Sequence, residues 1–495
     1  MNTPDNNPLQ NDNPKAPAGI IIAAMKGGAG KTIATLGLIR AMALGGKRVI
    51  PFKKGPDYID ARWIAMAAYH DCYNLDPYLM SRDVIENSYI QRASTGDISV
   101  IEGNRGLHDG VDVEGTCSTA ELAKWLRLPV FLVADCTKVT RTVAALVMGC
   151  RDFDRDVNIS GVILNHIVRP RHQDIVARSI EHYTGIPVVG AIRRLKSDPL
   201  PMRHLGLTPA DEHKKVTELL DTLGETIRES VDITRIMDIA QQNASGHMVS
   251  NREVQDIPAG SVTHAQQDGT RPTVGIIRDQ AFQFYYPENL EAIKNAGANL
   301  IFLDSINNTE IPDHVDAIYI GGGFPETQAD RLAANTSFRQ ALREKAMKGM
   351  PIYAECGGLM YLGQNIVWEG KRWPMTGILS WDFHVHKKPA GHGYTILEVV
   401  KQTPFFRRGT ILKGHEFHYS VPEPGHGALP CQNLSDGAER LTCRVKRGNG
   451  FSSGMEGIST KNVFGTYTHV HALGHPDWGE NIVRAARAYR SSGKL

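Results

Sequence analysis

The chain has 495 residues, 41% hydrophobic and 22% charged, proportions that indicate a globular protein of two or three domains. Its formal net charge of +2 shows no basic excess, which argues against nucleic acid or an anionic membrane as a partner. Its seven scattered cysteines form no CxxC pair and indicate neither a disulfide framework nor a zinc site.

The N-terminal segment and the absence of long apolar runs bear on location. Residues 1–17 are polar and rich in Pro and Asn, without the apolar core of a signal peptide, and are predicted to be a disordered tail. No apolar run approaches the roughly 18 residues that a membrane span requires. We therefore expect a cytoplasmic protein.

Residues 18–240 alternate short apolar runs with helical patterns. The runs are GIIIAA, KRVIPFK, ISVIEG, LPVFLVADC, ISGVILNH and IPVVGAI. Continuous apolar strands of this kind are typical of a parallel sheet that is covered on both faces. The pattern TIATLGLIRAMALG predicts a helix that ends at Gly45–Gly46. This alternation predicts a doubly wound α/β domain.

A change of composition separates this domain from a second one. Residues 241–272 are polar and low in large apolar side chains, as expected of a linker. Strand signals resume at TVGIIRD and continue through DAIYIGGGFPE and GMPIYAECGGLMYL. We expect a second doubly wound α/β domain over residues 273–490.

The sequence KGGAGKT follows the first strand and opens the first helix, the context in which a phosphate-binding loop forms. Its glycines allow backbone N–H groups to surround the phosphates, the lysine neutralises them, and the threonine hydroxyl binds Mg²⁺. The predicted ATP-binding residues are Gly27, Gly28, Gly30, Lys31 and Thr32. The alternative is a glycine-rich turn that only joins strand to helix.

Lys26, at the front of this loop, leaves two interpretations open. A lysine at this position resembles the loop of dimerising partition-type ATPases, in which it reaches the partner subunit's nucleotide. This predicts a homodimer and a second class of function, an ATPase switch. The other interpretation is a solvated surface lysine.

Acidic residues follow two further strands. PFKKGPDYID carries Asp57 and Asp60, and IEGNRGLHDG carries Glu102 and Asp109. Ligands of open α/β sheets bind at the carboxyl ends of the strands, so these carboxylates are candidates for Mg²⁺ and substrate rather than solvated surface groups. The candidates for binding an anionic substrate are the basic residues Lys53, Lys54, Arg62 and Arg105.

In the second domain, YAECGGLMYL places Cys356 between a strand and a helix. A cysteine on such a turn is a candidate nucleophile, and the helix N-terminus is expected to lower its pKa. GTYTHVHAL offers His469 and His471 as bases, and KGHEFHYS offers Glu416 and His418. The backbone N–H groups of Gly322 and Gly323 are candidates for an oxyanion hole. The alternative is a buried structural cysteine.

Together these motifs, with NLDPYLM and RDQAFQFYYPENL, resemble the cobyrinate a,c-diamide synthase family over about residues 18–490. The resemblance implies an amidoligase domain related to dethiobiotin synthetase, followed by a class I glutamine amidotransferase domain. It implies that ATP activates peripheral carboxylates of a modified tetrapyrrole, with Mg²⁺ as cofactor and L-glutamine as the ammonia source. The expected acceptors are the a- and c-acetate groups of cobyrinate. Sirohaem or another tetrapyrrole derived from sirohydrochlorin is an open alternative.

The resemblance also implies roles for individual residues. The metal-linked residues would be Thr32, Asp57 and Glu102, and the acceptor site would hold Asp60, Asp109, Arg62 and Arg105. Cys356 would be the nucleophile of the glutaminase and His469 its base, because the family places the base two residues after a tyrosine. No His-x-Glu motif supplies a third member, so we expect a Cys–His dyad, with Glu416 as a candidate orienting group.

Overall fold

The structure is a computed structural model that describes residues 16–194, 200, 202–203, 206–207, 215–245, 271–425 and 439–493. The predicted tail therefore lies almost entirely outside the described residues. Within them the chain divides into two compact units. The first holds the described residues 16–77, 82–194, 200, 202–203, 207 and 215–245, and the second holds 78–81, 206, 271–425 and 439–493.

The first unit is built on a seven-stranded parallel sheet in the order β3-β2-β4-β1-β5-β6-β7. The strands are β1 Gly19–Ala24, β2 Val49–Lys54, β3 Tyr73–Leu75, β4 Ile98–Glu102, β5 Val130–Asp135, β6 Ile159–Ile167 and β7 Val188–Arg193. The short strands β8 Met202–Arg203 and β9 Gly206–Leu207 pair only with each other. Every residue of β1, β2 and β4 is buried, as the continuous apolar runs predict.

Eight helices accompany these strands in the described part of the unit. They are α1 Lys31–Leu44, α2 Ile59–Ala68, α3 Arg82–Ala93, α4 Thr119–Leu126, α5 Thr142–Phe153, α6 Pro170–Thr184, α7 Val216–Ser230 and α8 Ile233–Ser245. Helix α1 ends where the sequence predicts, at Gly45, and Gly46 follows with a left-handed φ of 80°. Helix α8 continues five residues into the segment predicted as a linker. Residues 246–270 lie outside the described range.

The second unit contains the remaining strands and helices. The strands are β10 Thr273–Ile277, β11 Phe282–Phe284, β12 Asn299–Leu303, β13 Ala317–Ile320, β14 Gly322–Gly323, β15 Ile352–Glu355, β16 Asn365–Trp368, β17 Lys371–Pro374, β18 Trp381–Val385, β19 Gly391–Val399, β20 Ile411–His418, β21 Ser420–Pro424, β22 Arg440–Arg447, β23 Met455–Thr460, β24 Val463–Thr466 and β25 His469–Val470. The α-helices are α9 Pro287–Asn295, α10 Ala329–Ala334, α11 Thr336–Met347, α12 Gly357–Leu362 and α13 Asp477–Ser491. Two 3₁₀ turns cover Pro325–Gln328 and Ala472–Gly474.

The main sheet of the second unit has ten strands in the order β12-β10-β13-β15-β24-β23-β22-β19-β20-β25. The first five are parallel and the others join antiparallel. The α/β class is confirmed, while the antiparallel half is a feature that the sequence analysis did not predict. Buried apolar clusters cover this unit's sheet and fix β15 and β24 at its centre.

No helix among the described residues is long and apolar enough to cross a membrane. The six cysteines that lie in the described ranges are all free.

Candidate active sites

The glycine-rich loop joins β1 to α1 in the conformation that a phosphate-binding loop requires. Gly28 and Gly30 have left-handed φ values of 72° and 86°. Asn165, at the end of β6, donates from its amide nitrogen to the carbonyl of Ala29 at 2.9 Å. A Cβ at position 30 would lie 2.0 Å from that nitrogen, so glycine is required there by both its backbone angle and its surroundings.

Five of the predicted site residues form one hydrogen-bonded group beside this loop. Glu102 Oε1 accepts from Thr32 Oγ1 at 3.2 Å and from Lys53 Nζ at 2.6 Å. Lys53 also donates to Asp60 Oδ2 at 2.7 Å, and Asp57 Oδ1 accepts from the backbone N–H of Asp60 at 2.8 Å. The carboxyl ends of β2 and β4 therefore bring these carboxylates together, because the two strands are neighbours in the sheet.

Burial changes the electrostatics of this group. Burial lowers the pKa of Lys31, and burial together with the Asp60 carboxylate raises the pKa of Asp57 to about 7. Glu102 Oε2 is buried and has no hydrogen-bond partner within the described part of the chain. A hydroxyl and carboxylate oxygens are the donors that Mg²⁺ prefers, so Thr32, Asp57 and Glu102 fit this ion.

The two lysines of PFKKGPDYID are buried, which the sequence analysis did not predict. Lys53 is 2% exposed and engaged by Asp60 and Glu102. Lys54 is 3% exposed and donates to Asn104 Oδ1 at 2.8 Å, and burial lowers its pKa. The suggestion that both receive an anionic substrate does not fit Lys53, whose ammonium already neutralises two carboxylates of the site.

Two of the other predicted acceptor residues, Arg105 and Asp109, lie on the loop that follows β4. Asp109 is exposed, and its Oδ2 accepts from the backbone N–H of Gly106 at 2.8 Å. Leu107 donates to the carbonyl of Ala24 at 2.7 Å, which fixes this loop against the end of β1. Arg105 is exposed on the same loop, whereas Arg62 is half-buried on α2. Among the described residues, Asp109 and Arg105 form no hydrogen bond with the Thr32–Glu102 group.

Lys26 has a partner within the same chain. Its Nζ lies 3.0 Å from Asp135 Oδ2, and Asp135 Oδ1 lies 2.9 Å from His166 Nδ1. Sequence reasoning did not find Asp135 or His166, although both stand at the carboxyl ends of strands where ligands bind. The expected homodimer stays a prediction.

The second site is centred on Cys356, between β15 and α12. Its φ of 47° and ψ of −100° are unusual for a residue other than glycine, and such strain is common at functional turns. Its backbone N–H donates to the carbonyl of Thr466 at 2.7 Å, and Gly358 donates to Gly321 at 3.1 Å. These bonds fix the turn between two central strands of the sheet.

The glycines predicted for the oxyanion hole, Gly322 and Gly323, lie close to His469 and to the turn after Cys356, respectively. A Cβ at Gly322 would lie 2.5 Å from Cε1 of His469, and a Cβ at Gly357 would lie 3.0 Å from the backbone nitrogen of Gly323. The glycine segment thus fits between the imidazole and the turn that carries Cys356. A side chain at either position would force this packing apart.

The expected lowering of the Cys356 pKa is wrong. Burial raises the pKa of the thiol well above its usual range, and the nearby carboxylate of Glu326 adds to this effect. Helix α12 has only six residues, and its first turn does not offset the loss of hydration. The thiol of the free protein is therefore protonated and needs a base to become a nucleophile.

His469 lies next to a carboxylate that the sequence analysis missed. Glu355 Oε2 lies 3.6 Å from His469 Nδ1. Tyr319 and Tyr353 donate to Glu355 at 3.1 Å each, and the backbone N–H of Val470 donates to it at 3.1 Å. This places beside His469 a carboxylate that the expected dyad lacks. The sequence feature that could have revealed Glu355 is the Glu-Cys pair in YAECGG, which places an acidic residue immediately before the candidate nucleophile.

Glu416, proposed from sequence to orient His469, faces another histidine. Its Oε1 accepts from the backbone N–H of Asn449 at 2.6 Å, and its Oε2 lies 3.6 Å from Nε2 of His418. Among the described residues it forms no ion pair with His469, and this candidate assignment is wrong.

His471, the other histidine of GTYTHVHAL, belongs to a separate buried pair. Its Nε2 lies 3.7 Å from Glu288 Oε2, and its Nδ1 accepts from the backbone N–H of Leu473 at 3.2 Å. Both ring nitrogens are thereby directed toward groups away from Cys356, which favours His469 as the base.

The fold and the two sites define a class: enzymes that join a nucleotide-binding domain to a glutamine amidotransferase domain on one chain. Residues 20–206 match the family model of the CobQ/CobB/MinD/ParA nucleotide binding domain, and residues 273–477 match that of the CobB/CobQ-like glutamine amidotransferase domain. The chain belongs to the cobyrinate a,c-diamide synthase family.

Three relatives illustrate this membership, and each is named cobyrinate a,c-diamide synthase. That of Magnetococcus marinus is 38% identical over 96% of this chain and 98% of its own length. That of Archaeoglobus fulgidus is 35% identical over 94% of this chain and 97% of its own length. That of Listeria innocua is 37% identical over 92% of this chain and 97% of its own length. The similarity thus covers both units.

Proposed function

We propose that this protein amidates the a- and c-acetate carboxylates of cobyrinate, in cobalamin biosynthesis, with ATP and L-glutamine. The observation that carries the proposal is the match, over more than 90% of the chain, to relatives named for this reaction. A partition-type ATPase, the remote alternative, would leave Cys356, His469 and Glu355 without a role. We place the reaction in the cytoplasm.

The second unit would release ammonia from glutamine. His469 takes the proton from the Cys356 thiol, and the resulting thiolate attacks the carboxamide carbon of glutamine. Backbone N–H groups near Gly322 and Gly323 stabilise the oxyanion that develops on the carboxamide oxygen. The C–N bond then breaks, the imidazolium returns its proton to the leaving nitrogen, and a thioester and NH₃ form. Water hydrolyses the thioester to glutamate and restores the thiol.

Glu355 supports this sequence of proton transfers. Its buried carboxylate lies 3.6 Å from Nδ1 of His469, which leaves Nε2 as the nitrogen that would accept the thiol proton, and its negative charge would stabilise the imidazolium as it forms. The two tyrosine hydroxyls and the backbone N–H of Val470 hold this carboxylate in place. An imidazole that is both oriented and electrostatically supported can deprotonate a thiol whose pKa is raised by burial.

The first unit would consume that ammonia. An acetate carboxylate of the acceptor attacks the γ-phosphorus of ATP, and ADP leaves as an acyl phosphate forms. NH₃ then attacks the acyl carbon, inorganic phosphate leaves, and the amide loses the extra proton. Lys31 and the loop glycines bind the phosphates. Thr32, Asp57 and Glu102 would hold Mg²⁺, which neutralises phosphate charge when bound. Lys53, fixed between Asp60 and Glu102, orients these carboxylates.

The positions of Asp109 and Arg105 support their proposed role in binding the acceptor. Asp109 and Arg105 are exposed on the loop that is fixed against the end of β1. Guanidinium groups bind carboxylates with two parallel hydrogen bonds, which suits Arg62 and Arg105 to the acceptor's remaining acidic side chains.

The test combines purified protein, ATP, Mg²⁺ and glutamine with cobyrinate or, separately, with sirohaem. Each amidation exchanges OH for NH₂, which lowers the acceptor's mass by about 1 Da, and two such shifts are expected with cobyrinate. A shift with sirohaem alone would transfer the assignment to that acceptor. No shift with either tetrapyrrole would refute the substrate while leaving the amidotransferase chemistry open to test by glutamate release.

A further inference from the structure

His415, in β20, lies directly across the sheet from His469. The two residues are paired in the antiparallel ladder between β20 and β25. Residues directly opposite in such a ladder project their side chains on the same face. Their imidazole rings lie 4.9 Å apart between centroids, and their planes differ by only 19°. The predicted base of the glutaminase site is thus stacked face to face on a second imidazole.

The surroundings of His415 disfavour a positive charge on its ring. The residue is 8% exposed, and Tyr286 OH lies 3.4 Å from its Nδ1. Burial, together with the imidazoles of His469, His471 and His392, holds the pKa of His415 well below its usual range. Carboxylates face two of these neighbouring histidines: Glu355 lies at His469 and Glu288 at His471. His415 therefore stays neutral while His469 gains and loses its proton.

We propose that His415 is a positioning residue whose flat ring holds the imidazole of His469 in the plane required for proton transfer. Glu355 fixes His469 from its edge, at Nδ1, and His415 fixes it from its face. The carboxylate contact alone permits the ring to tilt about the Nδ1 direction. A stacked ring restricts that tilt, because tilting would bring the two planes into steric contact. This inference rests on the proposed glutaminase function of the second unit.

Two substitutions of His415 distinguish the effect of its flat ring from the effect of its nitrogen atoms. His415→Phe keeps a flat ring and removes both nitrogens, whereas His415→Gln keeps a polar side chain and removes the ring. Glutamate release at varied glutamine concentration gives kcat and KM for each variant. We expect His415→Phe to retain kcat within about 3-fold and His415→Gln to lose at least about 10-fold, with KM within about 2-fold in both.

The pH profile and a second nitrogen source complete the test. The acidic limb of kcat/KM for His415→Phe should coincide with that of the unsubstituted protein, because a neutral ring adds no titration of its own. Amidation with ammonium salts, which bypasses Cys356, should be unchanged in both variants and so reports an intact first unit, while an unchanged KM for glutamine reports an intact glutamine site in the second unit.

Three results would overturn the inference: glutaminase activity of His415→Gln equal to or above that of His415→Phe, equal loss of kcat in both variants, or a shifted acidic limb in His415→Phe. Each would assign the effect to the imidazole nitrogens or to general packing. If the unsubstituted protein releases no glutamate from glutamine, the proposed function itself fails, and this inference fails with it.

Discussion

Glu355 Oε2 lies 3.6 Å from Nδ1 of His469, although the two residues belong to different strands of the sheet. Glu355 is the last residue of β15, and His469 is the first residue of β25. The residue two positions after His469, where a His-x-Glu motif would carry its acid, is His471. The carboxylate of the thiol site thus comes from the residue that immediately precedes the nucleophile.

Replacing Glu355 with Gln should lower glutamine hydrolysis by about 10²-fold or more, because the imidazolium that forms on His469 would lose its carboxylate. Glu288→Gln is the matched control, since Glu288 is an equally buried carboxylate that faces His471 instead. Glutamate release by both variants is the measurement. Equal activities of the two variants would assign no special role to Glu355.

Cys356→Ala should abolish amidation with glutamine and leave amidation with ammonium salts near the level of the unsubstituted protein. The thiolate is required to release NH₃ and takes no part in its later attack on the acyl phosphate. Product formation is measured by mass with each nitrogen source. If a folded Cys356→Ala protein lost both activities, the separation into two sites would be refuted.

Lys31→Ala and Glu102→Gln should lose amidation with either nitrogen source and retain slow glutaminase activity. Both side chains serve phosphoryl transfer, whose transition state depends on positioned charge and on the metal. Asp97→Asn is a suitable control, because Asp97 precedes β4 and accepts a hydrogen bond from the backbone of Arg48 at the opposite end of the strand from Glu102. Ammonium-dependent synthesis by Lys31→Ala within a few-fold of the unsubstituted protein would contradict the phosphate-loop assignment.

Asp109→Asn should slow amidation, or stop it after the first carboxylate, while the KM for ATP changes little. The expectation follows from the exposed position of Asp109 and from the absence of a hydrogen bond to the Thr32–Glu102 group among the described residues. A time course of product masses separates one amidation from two. A large rise in the KM for ATP would instead place Asp109 at the nucleotide.

The phosphate loop could be predicted in full because its parts are adjacent in sequence. A buried strand, glycines at Gly28 and Gly30 and the Lys31–Thr32 pair specify the local backbone and the groups that it presents. Glu102 was predictable for a related reason. Neighbouring parallel strands end at the same edge of a sheet, so an acidic residue at the end of β4 lies near the loop after β1.

The sequence by itself therefore determined the α/β class, and it predicted the two candidate sites and the candidate nucleophile, since each prediction depends on short patterns or on periodic burial. Only the tertiary structure decided the pKa of Cys356, because that value depends on how completely distant segments exclude water from the thiol. It also decided that Lys53 is enclosed by Asp60 and Glu102, and that Glu355 rather than Glu416 faces His469. The Lys53–Glu102 and Glu355–His469 contacts join strands far apart in the chain, and the pairing order of a sheet is not encoded in any single segment.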